Sequence, residues 1–193
     1  MRRGFLSEAG PEVRRVGMFA RDAVLASAMP AAALSLAGWG RALGRDRLDL
    51  LLAEAAAKAG AELFQPWKLA GLSRGAEGFV CSIGADDRSK ELRARIVIAA
   101  NGSWERNPWA QNLPRRHAPS DLLAFKAHFS DSTLARDLMP LLVCPGGYGG
   151  MVHADAGRVS LSCCIRRDAL DACRREHPRP HAGESVLQHI VNS

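Results

Sequence analysis

The apolar run Ile96-Val97-Ile98-Ala99-Ala100, halted at Asn101-Gly102-Ser103, constrains the fold of this chain more than any other stretch. A run that is apolar at every position reads as a strand covered on both faces. In open α/β sheets, ligands lie just beyond the carboxyl ends of such strands. Asn101, Gly102 and Ser103 are therefore the first site candidates, at a small polar turn able to expose backbone amides.

The run closes a longer unit that begins at Gly44. Asp46 is placed to cap a helix whose buried face would carry Leu48, Leu51, Leu52, Ala55 and Ala59, with Gly60 ending it. Strands are expected to start at Ala61–Phe64, Lys68–Leu72 and Gly78–Ile83. A turn follows at 86–89, and the buried strand runs from Glu91 to Ala99. Before this unit, residues 1–20 read as a helix with Leu6, Val13, Val16 and Phe19 on one stripe, and Ala31–Trp39 as a short strand. After it, Trp104–Ser120 is rich in proline and reads as loop.

From Leu122 the hydrophobic period shifts towards two. Phe125–Phe129, Leu141–Val143, Tyr148–His153 and Val159–Ile165 are expected as antiparallel strands, followed by helices at Asp168–Glu176 and Glu184–Val191. The fold class is thus α+β. An α/β-like portion at 1–115 precedes an antiparallel sheet portion at 116–193.

Charge and cysteine usage narrow the function. The net charge of +6 is spread over scattered arginine pairs, and aromatics make up only 6% of 193 residues, which argues against nucleic-acid binding. The five cysteines follow no metal-ligand spacing and read as small hydrophobes in a reducing cytoplasm. No stretch approaches the ~18 apolar residues of a membrane helix, and no signal-peptide pattern follows Met1. His177 and His181 are four apart, but Pro178 and Pro180 break the helix that would align them. His128 and His153 lie in strand patterns and read as structural. No GxGxxG, Walker loop or GxSxG is present. The glycines around Tyr148 (Gly146, Gly147, Gly149, Gly150) admit two readings. They are either hairpin glycines or a backbone kept thin where a flat ligand lies against it.

Several segments in order resemble one family. They are Gly4-Phe5-Leu6-Ser7, the R-x-x-L-D-x-x-L pattern of Arg45, Leu48, Asp49 and Leu52, then Ala59-Gly60-Ala61. Next come Arg95 with the apolar run and Asn101-Gly102-Ser103, Phe125-Lys126-x-His128-Phe129, and the glycines around Tyr148. The chain looks like the middle of an FAD-dependent oxidoreductase of the p-hydroxybenzoate hydroxylase and geranylgeranyl reductase class.

The resemblance implies FAD as cofactor, NAD(P)H as a possible electron donor, and a small organic molecule to be hydroxylated or reduced. It implies that Arg45 contacts FAD, that the backbone near Leu69 meets the adenine, and that Asn101-Gly102 lies at the pyrophosphate. Asn101 stands where the family places an aspartate, and Gly150 where the reductases place a tryptophan. The family's first βαβ unit, with its GxGxxG, lies ahead of the segment matching Met1, and a late Gly-Asp segment lies past the one matching Ser193. The chain is therefore expected to be an internal fragment that binds FAD weakly or not at all by itself. The competing expectations are a cofactor-free binding module and a non-functional truncation.

Overall fold

The computed structural model describes residues 2–30, 38–102, 117–176, 178 and 181–193. These divide into two compact units, residues 1–55 with 117–193, and residues 56–116.

The larger unit is built on a six-stranded sheet in the order β2-β1-β7-β8-β9-β6. Its strands are β1 (Arg15–Ala20), β2 (Ala23–Ala28), β6 (Leu122–Phe129), β7 (Leu138–Cys144), β8 (Gly147–His153) and β9 (Val159–Arg166). The four strands expected after Leu122 all form, with β6, β8 and β9 mixing apolar with polar or small residues and β7 apolar throughout. In β6, Leu123, Phe125, Ala127 and Phe129 turn inward while Leu122, Ala124, Lys126 and His128 stay exposed. Two helices cover the inward face, α3 (Arg167–Glu176) and α4 (Ala182–Val191). Leu170 and Cys173, three residues apart, share a helix face that packs with Cys163, Ile165 and Val186 into one core. Ile165 is 1% exposed there.

The sheet departs from the expected pattern at its other end. Residues 1–20 do not form one helix. Only α1 (Arg2–Glu8) is helical, since Gly10-Pro11 ends it, and the Val16–Phe19 stretch lies in β1. β1 turns at Arg21, in the left-handed region with φ 52, and pairs antiparallel with β2. β1 also runs parallel to β7, so the sheet is mixed. Short alanine-rich strands joined by a two-residue turn leave little period-two contrast, which is why the sequence reads as helix. The expected strand at 31–39 falls largely outside the described residues, and the described part, Gly38–Trp39, is not in a strand.

Helix α2 (Arg45–Lys58) starts and stops where expected, with Gly60 beyond its end at φ 98. Its cap differs: Gly44 occupies the N-cap position, its carbonyl accepting from the Leu48 amide, and Asp46 lies inside the first turn. Nor does α2 carry a buried face. None of its residues is buried, and no element among the described residues packs along its length.

The smaller unit holds an antiparallel sheet of three strands, β3 (Lys68–Gly75), β4 (Gly78–Ala85) and β5 (Arg88–Ala94). Cys81, Ile83 and Ala85 share one face of β4 and are its buried residues. Trp67 and Phe64 lie over this face, under the Arg88 guanidinium and the Lys90 ammonium respectively. No strand forms at 61–64, and β5 ends five residues short of the expected strand. The run at 96–100 is not a covered strand. Ile96 is 77% and Ile98 84% exposed, because no strand among the described residues bonds to it.

Candidate functional site

The face of the six-stranded sheet opposite α3 and α4, on which no helix among the described residues packs, carries the most distinctive surface. Cross-strand register puts Met18, Leu141, Gly150 and Ser162 in one row across β1, β7, β8 and β9, with Val143, Tyr148 and Cys164 in the next. Ala124 and Lys126 of β6 extend those rows opposite Cys164 and Ser162. Met18, Leu141, Val143 and Tyr148 are large apolar side chains left exposed. Of these, Leu141 and Tyr148 line a groove of about 490 Å³ together with Ala124, Lys126, Gly150 and Ser162, among others. A patch this broad on a sheet face marks a place where something binds or packs.

The glycines around Tyr148 divide between the two readings. Gly146, at φ 74, makes the β7–β8 turn. Side chains at Gly147 and Gly149 would press on the β9 backbone and Cys163. Gly150 lies on the open face between Leu141 and Ser162, so the groove floor there stays at backbone height.

A polar seam anchors the start of α2 to this sheet. Asp155, in the β8–β9 turn, is buried and accepts the Gly44 amide at 2.5 Å and the Arg158 guanidinium at 2.6 Å. Arg158 also bridges to Asp46 at 3.1 Å. Burial pushes the Asp155 carboxyl upward, but the Gly44 amide and Arg158 outweigh it and hold the group below its ordinary value. Arg47 pairs with Glu8 at 2.6 Å and ties α1 to α2. The sequence offered a weak signal for this seam, an acid in a Gly-rich turn before an arginine.

The residues singled out from sequence are placed as follows. Arg45 opens α2, exposed, its guanidinium held by Asp49 one turn on at 3.0 Å. Leu69 lies in β3 opposite Ile83 and is 46% exposed. Asn101 sits in an exposed bend, followed by Gly102 at φ 83 with open space where a Cβ would be. Ser103 lies outside the described residues. His153 is buried, bonded to the Leu134 carbonyl at 2.8 Å, and His128 shares a 2.9 Å hydrogen bond with Ser160. All five cysteines are free, and burial pushes the Cys144, Cys163 and Cys173 thiols up, so they remain protonated. No helix among the described residues is long and apolar enough to cross a membrane.

No protein-family model matches the sequence, and no curated protein matches it. Solved structures do. A geranylgeranyl bacteriochlorophyll reductase-like protein from Thermoplasma acidophilum superposes with a TM-score of 0.66 at 21% identity, over 89% of this chain and 47% of that one. PqsL, a probable FAD-dependent monooxygenase from Pseudomonas aeruginosa, gives 0.63 at 15% identity over 96% of this chain and 54% of that one. The flavin-dependent halogenase CmlS gives 0.67 at 16% identity over 99% of this chain and 36% of that one. The chain shares its fold with part of each of these solved structures. The chain spans about half the length of the solved flavoproteins it matches or less.

Each unit by itself supplies one position able to take an anionic group. Arg45 supplies an exposed cation whose hold on Asp49 is a weak surface pair. The open positive-φ position at Gly102 leaves room for an anionic group against the backbone. A glycine-rich phosphate loop of the GxGxxG kind does not occur in the sequence.

Proposed function

We propose that this chain is part of a flavin-dependent oxidoreductase acting on a small organic substrate. The observation that carries the proposal is the apolar face of the six-stranded sheet opposite α3 and α4, in a fold shared with flavoenzymes. When bound, FAD supplies the redox chemistry by which a substrate is hydroxylated or reduced at the expense of NAD(P)H or another donor. Arg45 would neutralise cofactor charge, the backbone near Leu69 would meet the adenine, and Asn101, Gly102 and Ser103 would turn at the pyrophosphate. The sheet face would hold the substrate and keep water from it. One relative, PqsL, has been solved with 2-aminobenzoylacetate. On this assignment residues 1–115 belong to the cofactor side and 116–193 to the substrate side, with β1 and β2 lent to the substrate-side sheet. The free thiols suit a reducing cytoplasm.

A cofactor-free binding module is the second reading, favoured by a groove formed wholly within one unit. FAD titrated into the purified chain, followed by flavin fluorescence, separates the two. Weak binding is expected, reduced about tenfold by Arg45→Ala through loss of a charged hydrogen bond. A flavin signal unaffected by the chain leaves the binding module, and equal affinity for parent and variant removes Arg45 from the site.

A further inference from the structure

The groove on the open sheet face has a charge pattern that selects its ligand. None of the six strands contains an acidic residue. The face does carry cations. Arg166 is neutralised by Asp168 at one end, while Lys126 makes no ion pair among the described residues, although Glu184 of α4 lines a pocket with it on the other side of β6. Lys126 stands directly across from Ser162, and the next pair on the same face is His128 with Ser160. Ser160 is buried and its hydroxyl is bonded to His128, so Lys126 and the Ser162 hydroxyl are the polar side chains at this end of the groove. The other end is apolar, with Leu141, Tyr148 and Cys164 around the bare backbone of Gly150.

We propose that this groove binds an organic carboxylate. A planar apolar body lies over Gly150 between Leu141 and Tyr148, and its carboxylate is held by Lys126 with the Ser162 hydroxyl beside it. The groove's 490 Å³ lies within the range of small-molecule sites. A single lysine without an ion pair among the described residues, beside one hydroxyl, matches one negative charge, whereas a phosphate draws more cations or an arginine fork. The proposal rests on the assignment of this face as the substrate side.

The test uses the full chain without FAD and two probes of one shape, 2-naphthoate and neutral 2-acetylnaphthalene, in an amide-shift NMR titration. The acid is expected to bind about tenfold more tightly than the ketone, moving the Tyr148 and Gly150 amides. Lys126→Met should remove that preference while leaving the ketone unchanged, and Lys126→Arg should keep it. Lys126 is exposed, so neither variant threatens folding. Equal affinity for the two probes, binding of neither, shifts confined to other residues, or an acid affinity unchanged in Lys126→Met overturns the proposal. Loss of the acid preference leaves the flavin assignment intact. A chain that selects the acid yet shows no flavin binding overturns that assignment and leaves this one.

Discussion

The two units use the same strand grammar and reach different densities. In the larger one, Val159, Ile165, Cys173 and Val186 are at most 2% exposed, because two amphipathic helices lie across one sheet face. In the smaller one, the best-covered residues of the sheet, Cys81, Ile83 and Ala85, keep 8% exposure under a short aromatic segment. β3 and β5 are mostly open, and the run from Ile96 to Ala100 has no cover from the described residues. Alternation suffices to make a sheet, but a dense core needs a second layer of matching apolar width. The difference separates a face shaped by its own helices from apolar surface that awaits a neighbour.

The largest expected effect breaks or confirms that contrast directly. Ile165→Ala removes a fully buried side chain hemmed in by helices that cannot collapse, and should cost about 3–5 kcal/mol. Ile83→Ala removes the same atoms beneath a thin cover and should cost no more than about 2 kcal/mol, since the aromatic segment can settle into the gap. Urea unfolding followed by far-UV circular dichroism measures both. Equal losses would mean that the smaller sheet is as firmly covered as the larger.

The seam at α2 comes next. Asp155→Asn keeps the shape but removes the charge that receives the Gly44 amide and Arg158. A loss of about 2–3 kcal/mol near neutral pH is expected for hydrogen bonds to a charged group. The pH dependence has a definite sign. The folded-state value of Asp155 lies below its unfolded value near 3.9. Its contribution is thus complete above that value and fades as pH falls through the lower, folded one. The stability gap between parent and variant should therefore close only in strong acid. A gap that stays constant down to low pH would show that Asp155 acts by shape alone.

Much of this was legible in the sequence, for reasons the residues make clear. β6, β8 and β9 carry a period near two, β7 is a short apolar run bounded by turn residues, and α3 and α4 carry apolar residues at helical spacing, so local pattern and tertiary packing agree. β1 and β2 were illegible because Arg15–Ala28 is alanine-rich and its partner, β7, lies more than a hundred residues away. The apolar run at 96–100 misled in the opposite way, since its composition speaks of cover that no described residue provides. Arg45 stood out only through resemblance, and Asn101 through the end of a covered strand that does not form. The groove, by contrast, follows from alternation alone once the register is known, and a reader who tracked the outward residues Leu141, Tyr148, Gly150 and Lys126 would have met it.

The smallest expected effect sharpens the comparison most. Ile98→Ser replaces one of the most apolar side chains in the smaller unit at a position 84% exposed. If the segment is as open in solution as in the structure, the substitution changes stability by less than about 0.5 kcal/mol, as at an unpacked surface site. It should also raise solubility, because a run of Ile, Val and Ile with unpaired backbone is a template for strand addition between chains. The same substitution at Ile165 would be ruinous, so the pair measures cover independently of residue type. Urea midpoints for parent and Ile98→Ser, with light scattering as a function of concentration, decide the matter. A loss above about 1.5 kcal/mol with unchanged scattering would mean that the run is paired within the chain. The contrast between the two units would then be one of accessible edges rather than of missing cover.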